Sequence, residues 1–150
     1  MKKLINMFMR LFTRGVWAEN DTLVGIHADG VINYEAGGTI TRNALVKFSS
    51  GKVVVCGAGE LPLGIAQDSV VSGEYVAVKL LGNARGTIVG TASEAVAQGD
   101  ALYAVADGAV AKTKPTASGT HYLIGYALTA AIANSELEIQ HHTPVSVVVS

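Results

Sequence analysis

The sequence is poor in charged residues, which make up 15% of its 150 positions, where about a quarter is usual for a globular protein. The formal net charge is −1, and basic residues concentrate only in the first fourteen positions. Such a chain has no overall positive field with which to attract a polyanion. We therefore expect no nucleic-acid partner.

Cysteine is almost absent. The single residue, Cys56, excludes an intramolecular disulfide framework and any multi-cysteine zinc site built by this chain alone. It lies in the apolar run 53–56, which is typical of a buried, inert thiol rather than a reactive one.

Long hydrophobic runs are also missing. No stretch reaches the roughly 18–20 apolar residues of a membrane span. The first residues resemble a secretory signal, but Asn6 and Arg10 interrupt the apolar region, and no small-x-small cleavage site precedes Trp17. We expect a soluble product, with a membrane as an unlikely partner.

Short apolar runs separated by turn residues fill most of the chain. Hydrophobic residues reach 49% and are punctuated by 17 glycines, and 150 residues suffice for one domain with a real core. The pattern predicts a mainly β fold, a compact barrel or sandwich, over residues 21–150. The predicted strands occupy residues 23–26, 44–48, 52–56, 63–66, 75–81, 86–91, 101–105, 109–112, 122–128, 136–139 and 145–149.

Two stretches of this region resemble each other. Residues 41–78 and 98–139 each contain a hairpin, then a strand with an apolar-Gly-apolar-Ala pattern, and then a strand that begins with glutamate. We predict two related β units packed into one body, with Gly64 and Gly125 in equivalent positions.

The first twenty residues lack this pattern of short strands and form a predicted N-terminal arm. On a helical wheel of residues 2–14 the basic side chains share one arc, which predicts a short amphipathic helix. The helix could cap the core of its own domain, dock into a groove of a partner, or lie on a membrane surface. Its apolar arc is formed by Leu4, Ile5, Phe8, Leu11 and Phe12.

Groups that could carry chemistry are scattered. None of the four histidines has a second ligand-type residue at metal spacing, and no Gly-x-Ser-x-Gly sequence occurs. Glu136 and Glu138 alternate with apolar residues, which is typical of a strand with one solvent-exposed face. The glycine-rich segments 57–59 and 82–86 lack the Lys-Ser/Thr of a phosphate loop. We predict no enzyme, no catalytic residue, no cofactor and no metal.

Residues 21–139 resemble the phage capsid-cement, or decoration, protein family. The order and spacing of five segments carry the resemblance: Leu61-Pro62-Leu63-Gly64-Ile65-Ala66-Gln67-Asp68, Ser72-Gly73-Glu74-Tyr75-Val76-Ala77-Val78, Ala95-Val96-Ala97-Gln98-Gly99-Asp100, Ala106-Asp107-Gly108-Ala109-Val110, and Ile124-Gly125-Tyr126-Ala127-Leu128-Thr129-Ala130-Ala131.

The resemblance implies a β-tulip-like domain that forms a homotrimer. It implies a protein made in the host cytoplasm and located in the virion, on the outer surface of the capsid. There it would hold neighbouring subunits of the major capsid protein together. The sequence departs from the family pattern at its beginning, because it carries the additional N-terminal arm. The alternative is a β-sandwich adhesin or carbohydrate-binding module of a virion or cell surface. Sugar sites usually stack sugars on exposed aromatic side chains, and this chain has only 6% aromatic residues and one Trp.

The two ends of the chain are the predicted partner contacts. The apolar arc of the arm needs a surface to cover it, and Trp17 follows shortly after. Residues 144–149 are rich in valine and uncharged, so we predict an edge strand that pairs within a trimer or with a capsid strand. The predicted contact residues are Leu4, Ile5, Phe8, Leu11, Phe12, Trp17, Val145 and Val147.

Overall fold

A computed structural model describes His27 and residues 29–150 of the chain. In this part the chain forms ten strands, one 3-10 turn at Ala106–Gly108 and no α-helix, so the predicted mainly β fold is confirmed. The predicted arm lies outside the described residues. The strands are β1 (Val31–Glu35), β2 (Leu45–Ser49), β3 (Lys52–Val55), β4 (Gly64–Ala66), β5 (Tyr75–Leu80), β6 (Ile88–Thr91), β7 (Ala101–Ala104), β8 (Val110–Ala111), β9 (Gly119–Ala127) and β10 (Glu136–Val149).

The strands form two five-stranded sheets whose ladders are antiparallel. The first sheet has the order β1-β5-β4-β2-β3 and the second has the order β6-β10-β9-β7-β8. Each strand of the first sheet therefore has a counterpart five strands later. We call strands β1–β5 the first unit and β6–β10 the second unit. The internal repeat stays a prediction, and this order agrees with it.

Each sheet curls until its outer strands meet. Ala36, directly after β1, makes a parallel bridge to Val53 of β3, and Ala92, directly after β6, makes the corresponding bridge to Val110 of β8. The N–H of Ala36 donates to the carbonyl oxygen of Glu74 at 2.8 Å, and the N–H of Ala92 donates to that of Ser135 at 2.9 Å. Glu74 and Ser135 each directly precede the last strand of their unit. Each unit is thus a small curled sheet wrapped around its own interior.

The turn between the second and third strands of each unit follows directly from the sequence. Ser50-Gly51 and Asp107-Gly108 all have positive φ values of 50–78°, which is the conformation of the tight turns that match strand twist. Both dipeptides end in glycine, which adopts this conformation without a steric cost. Local sequence thus sets the same hairpin in both units.

The interiors of the units are filled by residues at matching positions. The first unit buries a cluster that includes Ala36, Ile40, Val53, Ala66, Val76 and Val78. The second unit buries Ala92, Val96, Val110, Ala127, Leu137 and Ile139 at the corresponding places. Full burial of each large side chain is worth about 1.5–3 kcal/mol.

A shared apolar layer joins the units. Leu45 and Ile65 alternate with residues of the first interior, so they point to the other face of the first sheet, and they belong to the same cluster as the second interior. Ile88 and Ile124 of the second unit lie in this cluster too. The strand β4 and the first two residues of β2 are therefore buried on both faces. This is why they read as continuous apolar runs rather than as alternating ones.

Gly64 and Gly125 occupy equivalent, crowded positions. Gly64 of β4 pairs with Leu80, and Gly125 of β9 pairs with His141. A Cβ on Gly64 would overlap the carbonyl oxygen of Lys79, and a Cβ on Gly125 would overlap the carbonyl oxygen of Gln140. In both units the neighbouring backbone thus leaves no room for a side chain.

Where the structure describes the chain, the predicted strands agree with it except in two places. β1 was not predicted, because its polar Asn33 and Glu35 lie between glycines. The run 23–26 lies outside the described residues. The runs 136–139 and 145–149 are one strand, β10, whose register with β9 shifts between His141 and Val145. Pro144 lies in this bulge, where its missing N–H costs no ladder hydrogen bond.

We predict that Gly64→Ala and Gly125→Ala each lower the free energy of unfolding by about 1–3 kcal/mol, because the added methyl group forces the paired strand away. Gly38→Ala is the matched control, since no atom lies within 4 Å of its Cβ position. Denaturant unfolding of the three variants checks this. Equal stability of Gly38→Ala and Gly64→Ala would contradict the close approach.

Candidate functional site

The structure locates two of the eight predicted contact residues. Val145 and Val147 lie in the second half of β10. The other six, Leu4, Ile5, Phe8, Leu11, Phe12 and Trp17, lie outside the described residues. The candidate site therefore centres on β10.

The second half of β10 and the first half of β9 form a two-stranded ribbon, residues 119–123 and 145–149. Val145 pairs with Leu123, Val147 with His121 and Val149 with Gly119. β9 of the same chain thus pairs one edge of this segment, and pairing within a trimer or with a capsid strand stays a prediction. The other edge has no strand beside it in residues 29–150, since β6 pairs with β10 only over residues 136–139.

The bulge in β10 sets the start of the ribbon. The N–H of Gly82 donates to Nδ1 of His141 at 2.9 Å, and a Cβ on Gly82 would overlap Thr143. The turn after β5 in the first unit therefore holds the bulge of the second unit in place. Because a bulge bends its strand, the residues after Pro144 leave the regular sheet.

The ribbon exposes valine on both of its faces. Val148 is 76% exposed, more than any other large apolar side chain in the part of the chain that the structure describes, and Val145 is also exposed. Their cross-strand partners are Thr120 and Leu123, so the two valines lie on opposite faces. Residues 139–150 include no Asp, Glu, Lys or Arg. One face carries Val145, Val147 and Val149, whereas the other carries Val148 beside Ser146 and Thr120.

A groove of about 760 Å³ opens beside the start of the ribbon. Leu61 at its edge is 59% exposed. Phe48 is held at the groove by an edge-to-face contact with Tyr34, with ring centroids 5.1 Å apart. The lining is apolar apart from Lys47, Glu60 and Thr143, and consists otherwise of Phe48, Leu61, Pro62, Leu63, Leu81 and Pro144.

The two charged residues of the groove neutralise each other. Lys47 forms an ion pair with Glu60, whose carboxylate also accepts the N–H of Gly57 at 2.7 Å. The hydrogen bond from Lys47, followed by that from Gly57, holds the pKa of Glu60 below its usual value. The carboxylate therefore stays ionised and paired at neutral pH, and the groove has no free charge to offer a ligand.

A smaller cavity of about 450 Å³ is lined in part by His121, Glu94 and Thr113. His121 is buried, and its Nε2 lies 2.8 Å from the carbonyl oxygen of Ala117. Glu94 accepts the N–H and the hydroxyl of Thr113 at 2.7 and 2.8 Å, and these bonds lower its pKa. The polar groups thus fasten the loop before β9 to the body.

Cys56 is buried under the loop that leads to β4. Its Sγ lies 3.5 Å from the carbonyl oxygen of Glu60 and 3.6 Å from that of Gly57. Burial first, and the Glu60 carboxylate second, raise the pKa of the thiol to about 11. Since the thiolate is the nucleophile, this cysteine is held in its unreactive form.

Metal sites and membrane spans were sought in the part of the chain that the structure describes. Among residues 29–150 and His27, no three His, Cys, Asp or Glu side chains lie together as a set that could hold a metal ion. No helix in the same part of the chain is long and apolar enough to cross a membrane.

Comparison with known proteins gives one family and one fold. The model of a family described as phage cement protein matches residues 26–141, so the resemblance seen in the sequence is confirmed. Six chains of solved structures match. One of them is the head fiber gp8.5 N base of bacteriophage phi29, at 18% identity and a TM-score of 0.58 over 80% of this chain and 92% of that one. This likeness shows the fold alone. No curated protein matches.

We predict that Cys56 resists thiol reagents in the folded protein at mildly alkaline pH, because burial keeps it protonated. A coloured disulfide reagent measures the rate before and after unfolding in denaturant. An added cysteine at the exposed position Ser72 is the matched control. Equal labelling of Cys56 and Ser72→Cys in the folded protein would contradict the assignment.

Proposed function

This chain belongs to the phage cement protein family, and we propose that it decorates the outer surface of a phage capsid and holds neighbouring major capsid protein subunits together. Family membership makes it a structural protein of the virion. The match over residues 26–141 is the observation that carries the proposal, because it spans both units of the body. Support for bridging comes from the geometry of that body.

Bridging requires two contact points held at a fixed distance. The two units share one apolar layer, so they move as one body. Each unit also carries an exposed aliphatic side chain at the same turn, before its last strand. Val71 is 56% exposed in the first unit and Ile132 is 72% exposed in the second.

The two turns are held alike. Ile40 and Val70 exchange hydrogen bonds of 2.9 Å, and Val96 and Ala131 exchange bonds of 2.8 and 3.0 Å. Val71 and Ile132 follow Val70 and Ala131 directly. A rigid body that presents two equivalent apolar points supports binding to two equivalent sites on adjacent subunits.

Stabilisation of the shell needs no reacting group. A protein that binds only the assembled shell stabilises it in proportion to occupancy and affinity, and two linked contacts bind far more tightly than either alone. Self-association as a homotrimer would multiply the contacts further. We propose that the arm, through Leu4, Ile5, Phe8, Leu11, Phe12 and Trp17, adds a further attachment to the major capsid protein.

We predict that adding the protein to undecorated shells of its phage raises the temperature at which the shells lose integrity. Val71→Ser and Ile132→Ser should each weaken binding by about tenfold, because each removes a buried contact worth about 1.5–3 kcal/mol. Val89→Ser changes an exposed valine of β6 and is the matched control. Binding without any change in shell melting would contradict bridging.

We predict that deletion of residues 1–15 leaves the melting temperature of the β body unchanged, because both units lie outside this segment. The same deletion should weaken shell binding by tenfold or more, since burial of the apolar arc is worth about 1.5–3 kcal/mol for each large side chain. Shell sedimentation and a thermal melt measure the two effects. Unchanged binding with a large fall in melting temperature would assign the arm to the protein's own core.

A further inference from the structure

Three of the four histidines of the chain lie in the ribbon or where it begins. His121 of β9 pairs with Val147 of β10, and His141 and His142 lie where the register of β10 shifts. Residues 139–150 include no Asp, Glu, Lys or Arg. Imidazole is therefore the only kind of side chain in this segment that changes its charge between pH 5 and 8.

His141 ties the two units together at the bulge. Its Nδ1 accepts the N–H of Gly82 at 2.9 Å, and Gly82 lies in the turn after β5 of the first unit. A backbone N–H can only donate, so Nδ1 must offer its lone pair, and the ring is then neutral with its proton on Nε2. A proton on Nδ1 would make this atom a donor that faces another donor. The proton and the N–H of Gly82 thus compete for one lone pair.

The backbones of the turn and of the bulge touch beside this hydrogen bond. Gly82 has a φ of 75°, and a Cβ at its position would overlap the backbone of Thr143. This close approach leaves little space in which two opposed donors could be accommodated. Loss of the hydrogen bond therefore favours separation of the turn from the bulge.

In residues 29–150 no carboxylate forms an ion pair with His141 that would compensate its positive charge. The carboxylates on adjoining elements are engaged elsewhere, Glu138 by the hydroxyl of Thr87 and Glu60 by Lys47. The charged and titratable side chains on the elements around the bulge also include Asp29 before β1, Lys79 of β5, Arg85 in the turn, Tyr126 of β9 and His142 of β10.

We propose that His141 is a proton-sensitive latch that holds the start of the ribbon against the first unit. When the ring takes up a proton, the hydrogen bond from Gly82 is lost and the bulge separates from the turn. The ribbon then projects as two strands, which are marginally stable alone in water, so its pairing frays. The open form binds one more proton than the closed form, so the closed fraction rises with pH.

The latch gives the ribbon a response to acid, in the way that protonated histidines change interfaces in other proteins. Val145, a predicted partner contact, lies directly after the bulge. Acid should therefore weaken the contact that the ribbon makes with the shell. This last consequence rests on the proposed function, whereas the latch itself does not.

The other two histidines have the opposite hydrogen-bond arrangement. Nδ1 of His142 lies 2.7 Å from the carbonyl oxygen of Thr143, and Nε2 of His121 lies 2.8 Å from that of Ala117. A carbonyl oxygen only accepts, so both rings donate through these nitrogens whether neutral or protonated. Nδ1 of His121 is buried without a hydrogen-bond partner among the described residues, so the test must separate His121 from His141.

The test uses His141→Asn in the full chain. Oδ1 of asparagine is attached to Cγ, as Nδ1 of histidine is, and it accepts a hydrogen bond without titrating. His142→Asn is the matched control, because it removes a neighbouring imidazole that does not accept from Gly82. Circular dichroism checks the fold, and His141→Gln replaces His141→Asn if that variant fails to fold.

Hydrogen exchange measures the latch at about pH 7.5 and about pH 5.5, on either side of the usual imidazole range. Protection factors, which correct for the intrinsic pH dependence of exchange, are compared for the amide of Gly82 and for residues 119–123 and 145–149. In the unchanged protein and in His142→Asn they should fall by about five- to tenfold at the lower pH, which is about the contribution of one hydrogen bond. In His141→Asn they should be equal at both pH values.

Nitrogen NMR of the imidazole provides a second measurement. It should show His141 at about pH 7.5 with an unprotonated Nδ1 and a protonated Nε2. A protonated Nδ1 under these conditions would overturn the latch. A fall in protection that persists in His141→Asn would also overturn it and would assign the pH response to His121.

Shell binding at the two pH values separates this inference from the proposed function. Weaker binding of the unchanged protein at the lower pH, restored by His141→Asn, supports both. A latch response in the free protein with no shell binding at either pH would leave the latch standing and remove the decoration role. Equal shell binding at both pH values, despite the latch response, would overturn the acid sensitivity of the shell contact.

Discussion

The apolar layer shared by the two sheets is the interaction on which the rest of the structure depends. Leu45 and Ile65 of the first unit cluster with Ile88 and Ile124 of the second. Without the second unit these two side chains would face water, at a cost of about 1.5–3 kcal/mol each. Each unit alone is also about the size at which a single core is marginal. The layer makes one rigid body of the two units and fixes their outward surfaces relative to each other.

Rigidity explains how this body can serve as a structural part of a virion. Cys56 is held protonated, and the carboxylates of Glu60 and Glu94 are engaged by neighbouring donors. Exposed apolar side chains lie at the turns of Val71 and Ile132 and on the ribbon at Val145. Binding energy from several such points adds up more fully when they keep fixed distances, because less freedom is then lost on binding. The shared layer supplies that condition.

Much of the fold could be predicted from short runs and turns, because those signals are local. The repeat was harder to detect, since equivalent turns use different residues: Asn43 matches Gly99, with positive φ at both. The groove could not be predicted, because it gathers residues 47–48, 60–63, 81 and 143–144 through tertiary packing. The pairing of Val145 with Leu123 has no local signal, because it depends on a bulge that bends β10 at residues 142–144. The bulge tolerates proline there.

Reconstruction of the decorated head by electron cryomicroscopy tests the central claim most directly. The account predicts density for the two-unit body on the outer surface of the shell, with each body in contact with at least two major capsid protein subunits. The turns at Val71 and Ile132 should face different subunits. Density inside the shell, at the tail, or above a single subunit only would contradict the account.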